Sequence, residues 1–169
     1  GSVTVTVSSS DLWVTMTTDT WWVGDIEPGQ ALTLPGFAFN VTAGVEDQHA
    51  AIFDAEVTDN AGNVWNSSFV ILLNAPALQV VGLTVLDGGN GILESGETAD
   101  LAIEVLNAGH DMAYNLAGLI DLDNASVTVN NASASAGNLT PGQSAILLYN
   151  VTISEDAGDG ELAYIGFSG

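Results

Sequence analysis

Residues 87–97 read DGGNGILESGE and set Asp87, Asn90, Glu94 and Glu97 within one glycine-rich stretch. Hard oxygen donors on a flexible turn are what Ca²⁺ takes, about six to eight of them at ~2.3–2.6 Å. The spacing is not that of an EF-hand, and an aspartate in such a turn also caps backbone N–H groups. A calcium loop and a plain turn are both open.

A second chemistry is covalent. Asn40, Asn66, Asn124, Asn131, Asn138 and Asn150 each head an N-x-S/T triplet, the acceptor pattern for N-glycans on an exposed surface. Enzymatic chemistry finds little to stand on. His49 and His110 sit in polar surroundings and read as loop residues, and no serine lies in a nucleophile elbow. The carboxylate pairs Glu46 with Asp47, Asp121 with Asp123, and Glu155 with Asp156 read as solvated turns rather than acid/base dyads. No lysine or arginine is present to steady an oxyanion or phosphate. Trp13, Trp21, Trp22 and Trp65 could stack on sugars, but Trp21 and Trp22 are neighbours on a strand and face opposite ways. At least one of them belongs to a core. The reading is therefore not an enzyme.

The elements that must hold these residues are strands. Val3, Val5 and Val7 alternate with Thr4, Thr6 and Ser8; Phe37, Phe39 and Val41 alternate with polar or small residues, as do Leu147, Tyr149, Val151 and Ile153. Period-two alternation marks half-buried strands. The punctuation EPGQ, DNAGN, DGGNG and TPGQ leaves no room for ordinary helices. Short strands with such turns predict an all-β chain of antiparallel sandwiches of immunoglobulin-like type.

Composition narrows the partners. The 169 residues carry 21 carboxylates and no lysine or arginine, a formal charge of −21, where average usage predicts about 18 basic residues. Phosphate backbones and anionic lipid both need basic side chains, so nucleic acid is not an expected partner. No window reaches the ~18 apolar residues of a membrane span, so no membrane insertion is expected. Cysteine is absent, which removes disulfides and thiolate sites. The missing basic residues also remove every trypsin-type cleavage site, which suits life outside the cell.

The chain repeats itself. VGDIEPGQ at 23–30 returns as AGNLTPGQ at 136–143. At this offset of 113, Val3, Val5 and Val7 fall on Leu116, Gly118 and Ile120, while Val14 and Thr15 fall on Val127 and Thr128. After a three-residue slip, FNVT at 39–42 falls on YNVT at 149–152, which equates Asn40 with Asn150. With Pro76 as boundary, residues 1–76 read as the C-terminal part of an immunoglobulin-like sandwich lacking its first strands. Residues 77–169 read as a second sandwich lacking its last strand. Open edges and an uncovered groove follow from missing strands.

TVLDGGNGILESGETADLAIEVLNAGHDMAYNLAGLI, followed by VTV, AGNLTPGQSA and GELAYIGF, resembles the CARDB-like immunoglobulin repeats of large secreted bacterial and archaeal surface proteins and adhesins. The resemblance implies an extracellular spacer, adhesive or assembly module, and it rests on turn chemistry. Together these readings predict a structural subunit of an extracellular, N-glycosylated filament or surface stalk. It would be a homopolymer joined head to tail by strand complementation or as a tandem array, with Val3, Val5 and Val7 as the assembly strand and Ca²⁺ as a stiffener. The alternatives are a module binding cell-surface glycans and an accessory domain of a secreted peptidase or glycosidase.

Overall fold

The structure, a computed structural model, describes residues 1–168. It is all-β with antiparallel sheets throughout, and it divides into two compact units, Gly1–Ala75 and Pro76–Gly169.

The N-terminal unit holds β1 (Ser2–Ser8), β2 (Val14–Thr18), β3 (Thr20–Asp25), β4 (Ala38–Val41), β5 (His49–Asp59) and β6 (Val64–Leu73). Four strands form one sheet in the order β3-β1-β5-β6, and β2 pairs with β4 in a second. The sheets trap Val7, Val14, Ala51, Phe53 and Leu73, with Trp13, Met16, Phe37, Phe39, Val45 and Ile71 packed around them. His49, expected in a loop, opens β5; its Nε2 lies 2.7 Å from Asp11 Oδ2, tying β5 to the segment before β2.

The C-terminal unit holds β7 (Leu78–Leu86), β8 (Thr98–Asn107), β9 (Ala113–Leu122), β10 (Val127–Asn131), β11 (Ser133–Leu139), β12 (Ser144–Ile153) and β13 (Ile165–Ser168). Its sheets run β10-β12-β8-β7 and β11-β9-β13. Leu101, Ile103, Val105, Leu116, Ile120, Leu147, Tyr149 and Val151 form the core. At the end of β8 the buried Asn107 acts as a four-way clasp. Its Nδ2 donates to the carbonyls of Asp111 (2.8 Å) and Leu139 (3.0 Å), and its Oδ1 accepts from the N–H groups of Ala77 and Gly109, both at 3.1 Å.

The repeated motif is one turn used twice. Gln30 N–H bonds the Glu27 carbonyl at 3.0 Å around Pro28 and Gly29 (φ 81°). Gln143 N–H bonds the Thr140 carbonyl at 3.1 Å around Pro141 and Gly142 (φ 75°). Proline fixes the first corner, and the second demands the positive φ that glycine adopts without strain.

Strand registers carry the correspondence further. Val3 pairs with Gly24, Thr4 with Trp22, Val5 with Trp21 and Thr6 with Thr20 across β1 and β3. Each recurs 113 residues on across β9 and β11, as Leu116 with Gly137, Ala117 with Ser135, Gly118 with Ala134 and Leu119 with Ser133, with the irregularity at the same step. β2 with β4 likewise matches β10 with β12, both breaking register between corresponding residues, Met16/Thr18 and Val129/Asn131. One sequence-based correspondence changes. Met16 faces Phe39 as Val129 faces Val151, so Phe39 answers to Val151 and Asn40 to Thr152, two residues beyond the FNVT/YNVT alignment. A two-residue slip keeps every side chain on its own face of the strand, so the alternation could not reveal it.

β1, β2, β3, β4 and β5 thus answer to β9, β10, β11, β12 and β13. Among the described residues, β6 has no counterpart in the C-terminal unit, and β7 with β8 has none in the N-terminal unit.

Candidate functional site

What the missing counterparts leave is apolar surface. Directly opposed residues of antiparallel strands point to the same face, so the inward face of the four-stranded sheet can be read across its registers. Beside the buried Val7 and Phe53 runs the row Trp21, Val5, Val57, Trp65, one residue from each of β3, β1, β5 and β6. None of the four joins the packed cluster. Val5 and Val57 are half-buried and Trp65 is 54% exposed. The indole-bearing strands stand three strand spacings apart, about 14 Å. The two-stranded sheet covers only part of the face it lies on, and its Val41 is 43% exposed where the register-equivalent Ile153, beside β8, is 8%.

β1 itself is hydrogen-bonded on both sides, by β3 and β5. Val3, Val5 and Val7 therefore offer no free backbone edge. Among the described residues the free edges of these two sheets belong to β4, β2, β3 and β6.

The C-terminal unit shows the reciprocal feature. Val80 and Leu83 of β7 oppose the buried Val105 and Ile103 of β8, so they share the inward face, yet they are 51% and 52% exposed. They sit at the β7 edge of one sheet, and among the described residues β13 is the outermost strand on that side of the other. A strand beside β13, in the place β6 takes beside β5, would lie across from them.

The acidic loop is closed on itself. Asp87 accepts from the N–H groups of Gly89 (2.8 Å) and Gly91 (2.9 Å), Asn90 Oδ1 from Ile92 N–H (2.8 Å), and Glu97 Oε2 from Glu94 N–H (3.0 Å). The Gly89 bond leads in holding the Asp87 carboxyl below its ordinary value. Among the described residues no group of three or more Asp, Glu or His side chains is gathered that could hold a metal ion.

The six asparagines fall into two sets. Asn40, Asn66, Asn131 and Asn138 are exposed. Asn150 is half-buried, its Nδ2 donating to Asp100 Oδ1 at 2.6 Å, and Asn124 Nδ2 donates to the Leu162 carbonyl at 3.1 Å. The second bond helps hold the 157–163 segment over a cavity of about 730 Å³ in the C-terminal unit. Apolar residues such as Leu101, Leu122, Val151 and Ile165 line it, with Glu94, Asp159 and Glu161 among its polar wall. Glu161 accepts from Gly158 N–H and the Ser126 hydroxyl, which lower its pKa.

No helix in the described residues is long and apolar enough to cross a membrane. No known protein family, curated protein or solved structure matches the chain. Sequence reasoning missed the Trp21–Trp65 row. The alternation phases of β1 and β5 hint at it, but only the cross-strand register puts the four residues in line.

Proposed function

We propose that this protein is a structural module of an extracellular, N-glycosylated filament or surface stalk, in which repeat units complete one another's sheets. The observation that carries the reading is the pair of reciprocal gaps. Among the described residues, one unit has no counterparts of β7 and β8 and exposes Trp65, Phe69 and Val41; the other has no counterpart of β6 and exposes Val80 and Leu83. Apolar sheet faces left open with free backbone edges are templates for pairing. A contact between unlike faces that does not close on itself propagates into a fibre.

An exterior setting is supported by the absence of lysine and arginine, which removes every trypsin-type cleavage site, together with exposed glycan-acceptor triplets. The −21 charge keeps modules apart except where apolar faces meet. Sedimentation velocity tests the reading. The chain forms concentration-dependent higher species, and Trp65→Asp with Leu83→Asp returns it to monomer; a wild-type chain that stays monomeric at tens of micromolar, an order chosen for a weak contact, contradicts it.

The row of Trp21 and Trp65 supports a second reading, an adhesive face that stacks sugar rings. Quenching of tryptophan emission by soluble oligosaccharides, abolished by Trp65→Ser, would favour it.

A further inference from the structure

Resting on the repeat reading above, we infer that the open face of the N-terminal unit receives a β7–β8-type hairpin, its second strand paired antiparallel with the free edge of β4. The C-terminal unit identifies the occupant. There β12, the counterpart of β4, is paired with β2's counterpart β10 on one side and with β8 on the other, and β7 pairs with β8. Leu101, Ile103 and Val105 point inward from β8 and close the core over Leu116 and Ile120, the counterparts of Val3 and Val7.

The register follows as well. Tyr149 opposes Leu101 and Val151 opposes Ala99. Since Phe39 answers to Val151, the incoming strand sets an Ala99-type residue opposite Phe39 and a Leu101-type residue opposite Phe37. Beyond Phe37 the ladder breaks, because Pro35 has no N–H to give. Sheet order places the rest. With β2 and β4 lying over β3 and β1, the hairpin's β8-type strand lies over β5 and its β7-type strand over β6. It thereby covers Val57, Phe69 and Trp65.

Among the described residues β7 and β8 are paired within their own unit, so the occupant is a further hairpin of that type and not an exchange of these two strands. Exchange would open one core, that of Leu101 and Ile103, to close another.

The test is titration of a synthetic peptide spanning Pro76–Ala108 into the full chain, followed by tryptophan fluorescence and by amide exchange mapped by mass spectrometry. Expected is saturable one-to-one binding. Protection should appear in β4 and around residues 3–7, 53–57 and 65–71, with the C-terminal unit unchanged. A peptide carrying Leu101→Asp and Ile103→Asp weakens binding about 100-fold or more, since two carboxylates would enter an apolar face. Trp65→Ser in the chain, at an exposed position that leaves folding intact, weakens it about tenfold. Absence of saturation, protection confined to the C-terminal unit, or equal binding of the aspartate peptide overturns the inference. Filaments in native material without peptide binding would sink this inference and spare the filament reading; binding without filaments would do the reverse.

Discussion

Phe53 and Phe69 stack across β5 and β6 with ring centroids 5.5 Å apart and planes 9° from parallel, yet Phe53 is 1% exposed and Phe69 43%. Phe39 closes over Phe53 at 5.0 Å, and nothing of the described residues closes over Phe69 to the same degree. The boundary of the packed core thus runs between two touching rings.

That boundary predicts unequal costs. Phe53→Ala removes a filled core position and destabilises the chain by about 3–5 kcal/mol. Phe69→Ser gives up one stacked pair and part of a ring's burial, about 1–2 kcal/mol. Urea unfolding of the two variants measures the difference, and equal costs would mean that Phe69 is roofed.

Asn107 satisfies four backbone groups with one buried amide. Asn107→Leu leaves them unpaired and costs about 2–4 kcal/mol. Asn107→Asp keeps the shape but turns a carboxylate oxygen toward the carbonyls of Asp111 and Leu139. Burial and those carbonyls raise the aspartate's folded pKa above its unfolded one, so this variant regains stability as pH falls toward that unfolded value. Thermal melts at pH 7 and pH 4.5 check the sign.

Glycan occupancy sorts by hydrogen bonding. Asn40, Asn66, Asn131 and Asn138 are expected to carry glycan in material from the native source. Asn124 and Asn150 carry less, because attachment there would disturb the bonds to Leu162 and Asp100. Site-resolved glycopeptide mass spectrometry reads this directly, and heavier occupancy at Asn150 than at Asn66 would contradict it.

Acid sensitivity follows from four carboxylates. The pKa values of Asp11, Asp59, Asp87 and Glu161 are all lowered, first by hydrogen bonds from His49, Asn63, Gly89 and Gly158 respectively. A depressed folded pKa contributes stability that is present above the unfolded value and lost as pH falls through the folded one. The melting temperature therefore falls below about pH 4, and Asp59→Asn, which weakens the β5–β6 turn, flattens part of that fall.

Much of this was legible in the chain. Alternation in Val3 to Val7 and in Leu147 to Ile153 marked strands, and the PG turns at Pro28 and Pro141 proved to be one turn in two places because proline and glycine leave the backbone little choice. Composition places the oxygen acceptors of Asp87, Asn90 and Glu97 on one turn, but not the N–H groups of Gly89, Ile92 and Glu94 that bond them, because those bonds follow from the backbone path of the loop. The phase of β4 was readable and its register was not, because a slip of two preserves every face. The Trp21, Val5, Val57, Trp65 row was equally hidden, since its members come from four strands joined only by pairing.

Electron microscopy of material from the native source tests the central claim most directly. Filaments with a regular axial repeat, their subunit boundaries at the open faces of Trp65 and Leu83, are the predicted result. Dispersed single molecules, stable at high concentration, would contradict it.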